Sequence, residues 1–246
     1  RFRSDRVKIE ILDIIKEQFA KGDVGTMAIG AGILSNEKIG YRNLIQNDSF
    51  LIAAAAKLSL PREIETYNEI KKALAYINNV KYKAEKNSYN HPINWKTLAT
   101  VSDSTIAVVR TNKGNFTIKL FGNTTPGSVA NFIDLANDDF FDNKVYHRVV
   151  SNFVIQGGCP RGDGYGSLDY SIRSELPQLY YDDEGYVGMA SAGLNTEGTQ
   201  WFVTHSPTPH LDGKYTIFGK VTEGMDVVHQ IVEGDKIIDV IISLQR

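Results

Sequence analysis

The chain has 246 residues, 42% hydrophobic and 23% charged, an ordinary globular composition with room for two modest domains. No apolar run approaches the roughly 20 residues that cross a bilayer, and a single cysteine, Cys159, excludes an intramolecular disulfide and a cysteine-rich zinc site. Residues 1–100 hold 16 Lys and Arg against 11 Asp and Glu, and the remainder 11 against 18, so the acidic second half argues against nucleic acid as the main ligand.

The first ninety residues have helical periodicity. Val7, Ile11, Ile14, Ile15 and Phe19 fall on one predicted helix face, and Gly22 stops that helix. Val24, Met27, Ala28, Ala31 and Leu34 form a second stripe, with Asp23 placed to cap it. Ser49 to Leu58 is Ala-rich. Pro61 then suits the first turn of a helix that carries Ile64, Tyr67, Ile70, Leu74 and Ile77 and ends near Asn78-Asn79. A weak internal echo runs through this half: Asp23, Ala28 and Ala31 recur as Asp48, Ala53 and Ala56. Paired short helices with Ala at close-packing points resemble HEAT-like solenoid repeats.

Residues 80–104 are polar, and 91–104 read as a surface linker. From Thr105 the period changes to two. Ile106 to Arg110 and Phe116 to Phe121 predict a hairpin around Gly114. Thr125-Pro126 opens a helix reaching about Asn137. Short β runs broken by many glycines follow, then a helix over Met225 to Val232 and a last strand over Ile237 to Leu244. Many short strands with two helices predict a closed β-barrel with helices over its ends. Gly162-Asp163-Gly164-Tyr165-Gly166 has a nucleotide-loop look but lacks the strand–loop–helix setting, so it reads as a turn. Trp201 is assigned to the core and Cys159 to a small buried position. The five histidines have no His-Glu-x-x-His spacing, so no metal is expected.

Three segments carry chemistry. Tyr146-His147-Arg148 followed by Phe153-Val154-Ile155-Gln156-Gly157-Gly158 resembles the cyclophilin signature. Met189-Ala190-Ser191-Ala192-Gly193 through Gln200-Trp201-Phe202 resembles the same family's Met-Ala-Asn-Ala-Gly…Gln-Phe-Phe. His210-Leu211-Asp212-Gly213-Lys214-Tyr215 through Phe218-Gly219 resembles its Trp-Leu-Asp-Gly-Lys-His…Phe-Gly. The three occur in the family's order and span most of residues 105–246.

Together these readings predict a multidomain α + β chain: an N-terminal α-helical, HEAT-like repeat segment at 1–90, a linker at 91–104, and at 105–246, where the cyclophilin resemblance lies, a closed antiparallel eight-stranded barrel with two helices. The cyclophilin resemblance carries the functional expectations. It implies peptidyl-prolyl cis/trans isomerase activity that assists protein folding without cofactor or covalent intermediate. Arg148 matches the catalytic arginine. Phe153, Val154, Phe202 and Leu211 match the lining of the proline slot, with Tyr215 closing one side. Gln156 matches the residue that orients substrate and arginine, and the Ser191 backbone the position that bonds an extended peptide. Ala190, Ala192 and Gln200 match the neighbouring groove, and Gly164 its far wall. His210 stands where many relatives have Trp, so weak cyclosporin binding is expected. The expected partners are Pro-containing peptides or unfolded client proteins. A competing reading is a Pro-peptide binding or scaffold module with incidental turnover. The chain starts at Arg1 and reads as a fragment or processed form, which leaves exported and cytoplasmic settings equally open.

Overall fold

The computed structural model describes residues 2–87 and 89–243, and the chain divides into two compact units, Arg1–Lys86 and Asn87–Arg246.

The first unit is helical. Helix α1 spans Phe2–Lys21, α2 Val24–Ser35, α3 Ser49–Ala55 and α4 Ile64–Ile77. Asp23 caps α2 by accepting the Thr26 N–H at 2.9 Å. The core forms where α2 meets α4: Met27, Ala31, Leu34, Ile70 and Ala73 are all buried there. Thr66, also buried, donates its hydroxyl to the Val24 carbonyl. Two expectations are corrected. The buried face of α1 is Leu12, Ile15 and Phe19, while Val7, Ile11 and Ile14 are 50%, 38% and 57% exposed. Phe19 sets the choice: its ring meets Phe50 edge-on at 5.4 Å and lies against Gly30, where any side chain would press on it. Pro61 does not open α4. It sits in the turn three residues ahead, and Glu63 takes the cap position.

The second unit is built on one sheet. Strands β1 (Ile106–Thr111), β2 (Gly114–Leu120), β3 (Arg148–Val150), β4 (Val154–Gly157), β5 (Tyr186–Met189), β6 (Trp201–Thr204), β7 (Ile217–Glu223) and β8 (Ile237–Ser243) lie in the order β3-β4-β6-β5-β7-β2-β1-β8. Every neighbouring pair is antiparallel. The predicted end of the last strand, Leu244, lies outside the described residues. The β1–β2 hairpin turns through Asn112-Lys113, with Gly114 at φ 134°. Helix α6 (Pro126–Asn137) buries Val129, Phe132, Ile133 and Leu135 against the concave side of the sheet. Helix α7 (Met225–Gln230) adds Val228. Trp201 lies at the centre, fully buried, edge-on to Phe132 at 5.8 Å and to Tyr146 at 6.2 Å.

The barrel is curled but not closed by a continuous ladder. β3 and β8 are its two edges. The segments entering them touch through one isolated bridge, Val145↔Lys236, supported by Tyr146 N–H to Asp235 and Ile237 N–H to Lys144, each 2.8 Å. In that antiparallel register β3 runs away from β8, and the residues that would pair with β8, those before Val145, lie in the turn that follows α6.

The stretch read as a linker is an ordered part of this unit. It holds a one-turn helix, α5 (Trp95–Leu98), capped by Asn94, whose carboxamide and that of Asn90 bond Asp134 and Asp169 respectively.

Candidate functional site

Strand alternation gives the sheet a second apolar face. On β4, Ile155 enters the main core and its neighbour Val154 points the other way. On β6, Trp201 and Val203 enter the core and Phe202 faces out. On β7, Phe218 enters and Ile217 faces out. Val154, Phe202 and Ile217 thus form a separate cluster with Tyr181 and Leu211, flanked by half-buried Phe153, Ala190 and Tyr215. This cluster is the candidate floor of a binding groove.

Its depth depends on Gly188. That residue pairs with Phe202 in the β5–β6 register, and a Cβ there would collide with the Phe202 ring and the Tyr181 hydroxyl. Without one, Phe202 lies flat over β5, stacked on Tyr181 at 5.9 Å and edge-on to Tyr215 at 5.8 Å. Leu211 comes from the 3₁₀ turn Pro209–Leu211. Asp212, just after it, accepts the Tyr181 N–H at 2.8 Å and so ties that turn to the floor.

The tight β3–β4 turn brings the rim together. Asn152 takes φ 59°, Phe153 N–H returns to the Val150 carbonyl, and the register then sets Arg148 opposite Gln156. The Arg148 guanidinium, exposed, stands 5.6 Å from the Phe153 ring centroid, and the His210 ring stacks on Phe153 at 5.3 Å. A polar relay runs along the other side. Gln156 donates to the Gln200 carboxamide oxygen at 3.0 Å, and Gln200 donates to the Gly164 and Gly166 carbonyls at 2.9 and 3.0 Å. Gly164, at φ 88°, abuts the His147 ring. Burial lowers the pKa of that imidazole.

The 190–197 loop forms the last wall. Ala190 N–H bonds the Gln200 carbonyl, and Ala192 N–H bonds the Thr196 hydroxyl. Ser191 lies between them, half-buried, and Ala192 is exposed. The loop is anchored from below by Glu197, fully buried, which accepts Ser174 Oγ at 2.8 Å and whose carboxyl pKa burial raises.

The residues singled out from sequence therefore divide into an apolar floor (Val154, Phe202, Leu211, Tyr215, Ala190), a cationic and aromatic rim (Arg148, Phe153, His210) and an amide relay (Gln156, Gln200, Gly164), with Ser191 and Ala192 on the loop beside them. Tyr181, Ile217 and Gly188 belong to the same floor and lie outside the sequence reading. The alternation that sends Phe218 inward would have sent Ile217 out. Tyr181 comes from an irregular stretch with no period to read. Chemically, the arrangement sets a guanidinium and an aromatic ring beside a cluster of apolar side chains. Among the described residues no group of three His, Cys, Asp or Glu could hold a metal.

Residues 106–242 match the family model described as cyclophilin type peptidyl-prolyl cis-trans isomerase/CLD. A peptidyl-prolyl cis-trans isomerase of Synechococcus elongatus is 43% identical over 141 residues, 55% of this chain and 94% of that protein. Peptidyl-prolyl cis-trans isomerase B of Bacillus subtilis is 45% identical over 118 residues, 48% of this chain and 82% of that protein. The crystal structure of a Cryptosporidium parvum cyclophilin type isomerase superposes with a TM-score of 0.54 at 31% identity, covering 58% of this chain and 99% of its own. A second structure of that protein, in the presence of the dipeptide Ala-Pro, gives a TM-score of 0.53, with 56% of this chain and 98% of its own covered.

Proposed function

The chain belongs to the cyclophilin-type peptidyl-prolyl cis-trans isomerases, and from that premise we propose that the groove over Val154, Phe202 and Leu211 is where it rotates X-Pro bonds. Rotation breaks amide resonance, against a barrier of roughly 18–20 kcal/mol. An enzyme lowers it by binding the twisted amide better than either planar form. In the twisted state the prolyl nitrogen becomes pyramidal and gains a lone pair. The observation that carries the proposal is the Arg148 guanidinium standing over Phe153 at the edge of an apolar floor. A prolyl ring seated on Phe202 and Val154 brings its nitrogen to that rim, where a fixed cation stabilises the lone pair. Gln156, held by Gln200, keeps the rim in register, and the Ser191 backbone is the proposed partner of an extended peptide.

In an ¹⁵N-labelled sample, an Ala-Pro peptide should shift the amides of Phe153, Gln156 and Ser191 most. Shifts centred elsewhere on the unit would reject the groove. Cyclosporin should bind this groove weakly, because His210 offers less apolar cover than an indole and a differently placed N–H. His210→Trp should tighten it in the same titration, and an unchanged affinity would remove His210 from that wall.

The helical unit is read as HEAT-like on the strength of its paired short helices and the Ala-lined contact of α2 with α4. Its proposed role is to recruit protein clients to the isomerase.

A further inference from the structure

Away from the groove, the second unit carries a cavity of about 530 Å³, within the usual range for a ligand site, that none of the groove residues lines. Tyr89, Pro92 and Trp95 form one wall, from a segment that precedes the family match at residue 106; Arg173, Leu176 and Pro177 lie on the other. The first wall is fastened in place. The Asn90 and His91 N–H groups both donate to the Ser171 carbonyl, Ser171 N–H donates to the Asn90 carboxamide, and the His91 ring stacks on Tyr170 at 4.0 Å. Yet Trp95 is 67% exposed and Tyr89 48% exposed. Ordering a segment costs conformational entropy, and large aromatics held but left uncovered mark a surface built for contact.

The charge of the cavity is one-sided. Glu175 also lines it, but its carboxylate is committed to the Gly127 and Ser128 N–H groups and to Ser128 Oγ at the start of α6. Arg173 is exposed and has no hydrogen-bond or ion-pair partner among the described residues. Aromatic and prolyl walls suit a polyproline-type strand, whose rigid backbone loses little entropy on docking. A free guanidinium beside them selects a carboxylate. The cavity and the groove also share a supporting loop. Ile172 and Ser174, both lining the cavity, bond Glu197 and Asn195, at the far end of the loop that carries Ala190–Ala192. We infer that this cavity binds an extended, acidic, proline-containing segment of a protein chain, a second peptide site beside the catalytic one.

The two tryptophans make the test direct, because Trp201 is fully buried and Trp95 lines the cavity. The probe is acetyl-Glu-Pro-Leu-Pro-Asp-amide, titrated into the full chain while indole emission is followed. A saturable change is expected, about tenfold weaker in Arg173→Glu and for the peptide with Gln and Asn in place of its acids. The uncharged peptide keeps the test valid should the variant fold poorly, and Arg173→Glu should keep short-peptide turnover. Arg148→Ala should titrate like the unchanged chain, so failure of the catalytic reading leaves this result standing. No emission change at millimolar probe, or equal binding of the acidic and uncharged peptides, would overturn the inference.

Discussion

Phe202 and Gly188 are a single design feature at the scale of residues: the ring can cover the strand because its cross-strand partner has no side chain. Gly188→Ala should therefore displace the ring, cost about 1–3 kcal/mol in urea unfolding, and lower kcat/KM on an Ala-Pro peptide. Unchanged stability and turnover would mean the floor is looser than its packing implies. The motifs made Arg148, Phe153, Gln156 and Phe202 legible in the sequence, since each sits at a fixed offset within a matched segment. Gly188 and Tyr181 were not legible, because one acts through the side chain it lacks and the other arrives from an aperiodic loop. Asp212 is intermediate. It belongs to a matched segment, but its bond to the Tyr181 backbone is visible only in three dimensions.

Among elements, periodicity located the helices and the β1–β2 hairpin well and ranked faces less well. Helix α1 carries two adjacent apolar stripes, and which one is buried depends on the fit of Phe19 to Gly30 and Phe50 rather than on spacing. Closure of the barrel was likewise beyond a one-dimensional pattern, because it turns on the register in which the segments entering β3 and β8 meet. The polar segment before β1 looked like a linker because its bonds are made largely by side-chain amides and a hydroxyl, which leave no apolar period. Asn87, Asn90, Asn94 and Thr97 all bond residues downstream of it. A fragment of residues 87–246 should accordingly be more stable than one of 105–246, by on the order of 2–4 kcal/mol for several net hydrogen bonds. Equal urea midpoints would make the segment a passive tether.

Taken as a whole molecule, the chain joins a helical unit to an isomerase unit with its own core, each compact in itself. Residues 87–246 should match the full chain on short peptides, which need the groove alone, and lag behind it on proline-limited refolding of a protein, where the helices add surface. Equal rates on the protein would reject a recruiting role and leave the helices a spacer. In the proposed function the groove rotates the X-Pro bond with Arg148 as its fixed cation. The most direct test is the cis/trans exchange rate of an Ala-Pro peptide, measured by NMR with the full chain and with Arg148→Ala at equal concentration. The side chain is exposed on an edge strand, so the variant should fold normally, while exchange should fall by about 10²–10³-fold, the scale of losing a preorganised charge at a transition state. Near-normal exchange by a folded Arg148→Ala would contradict the account.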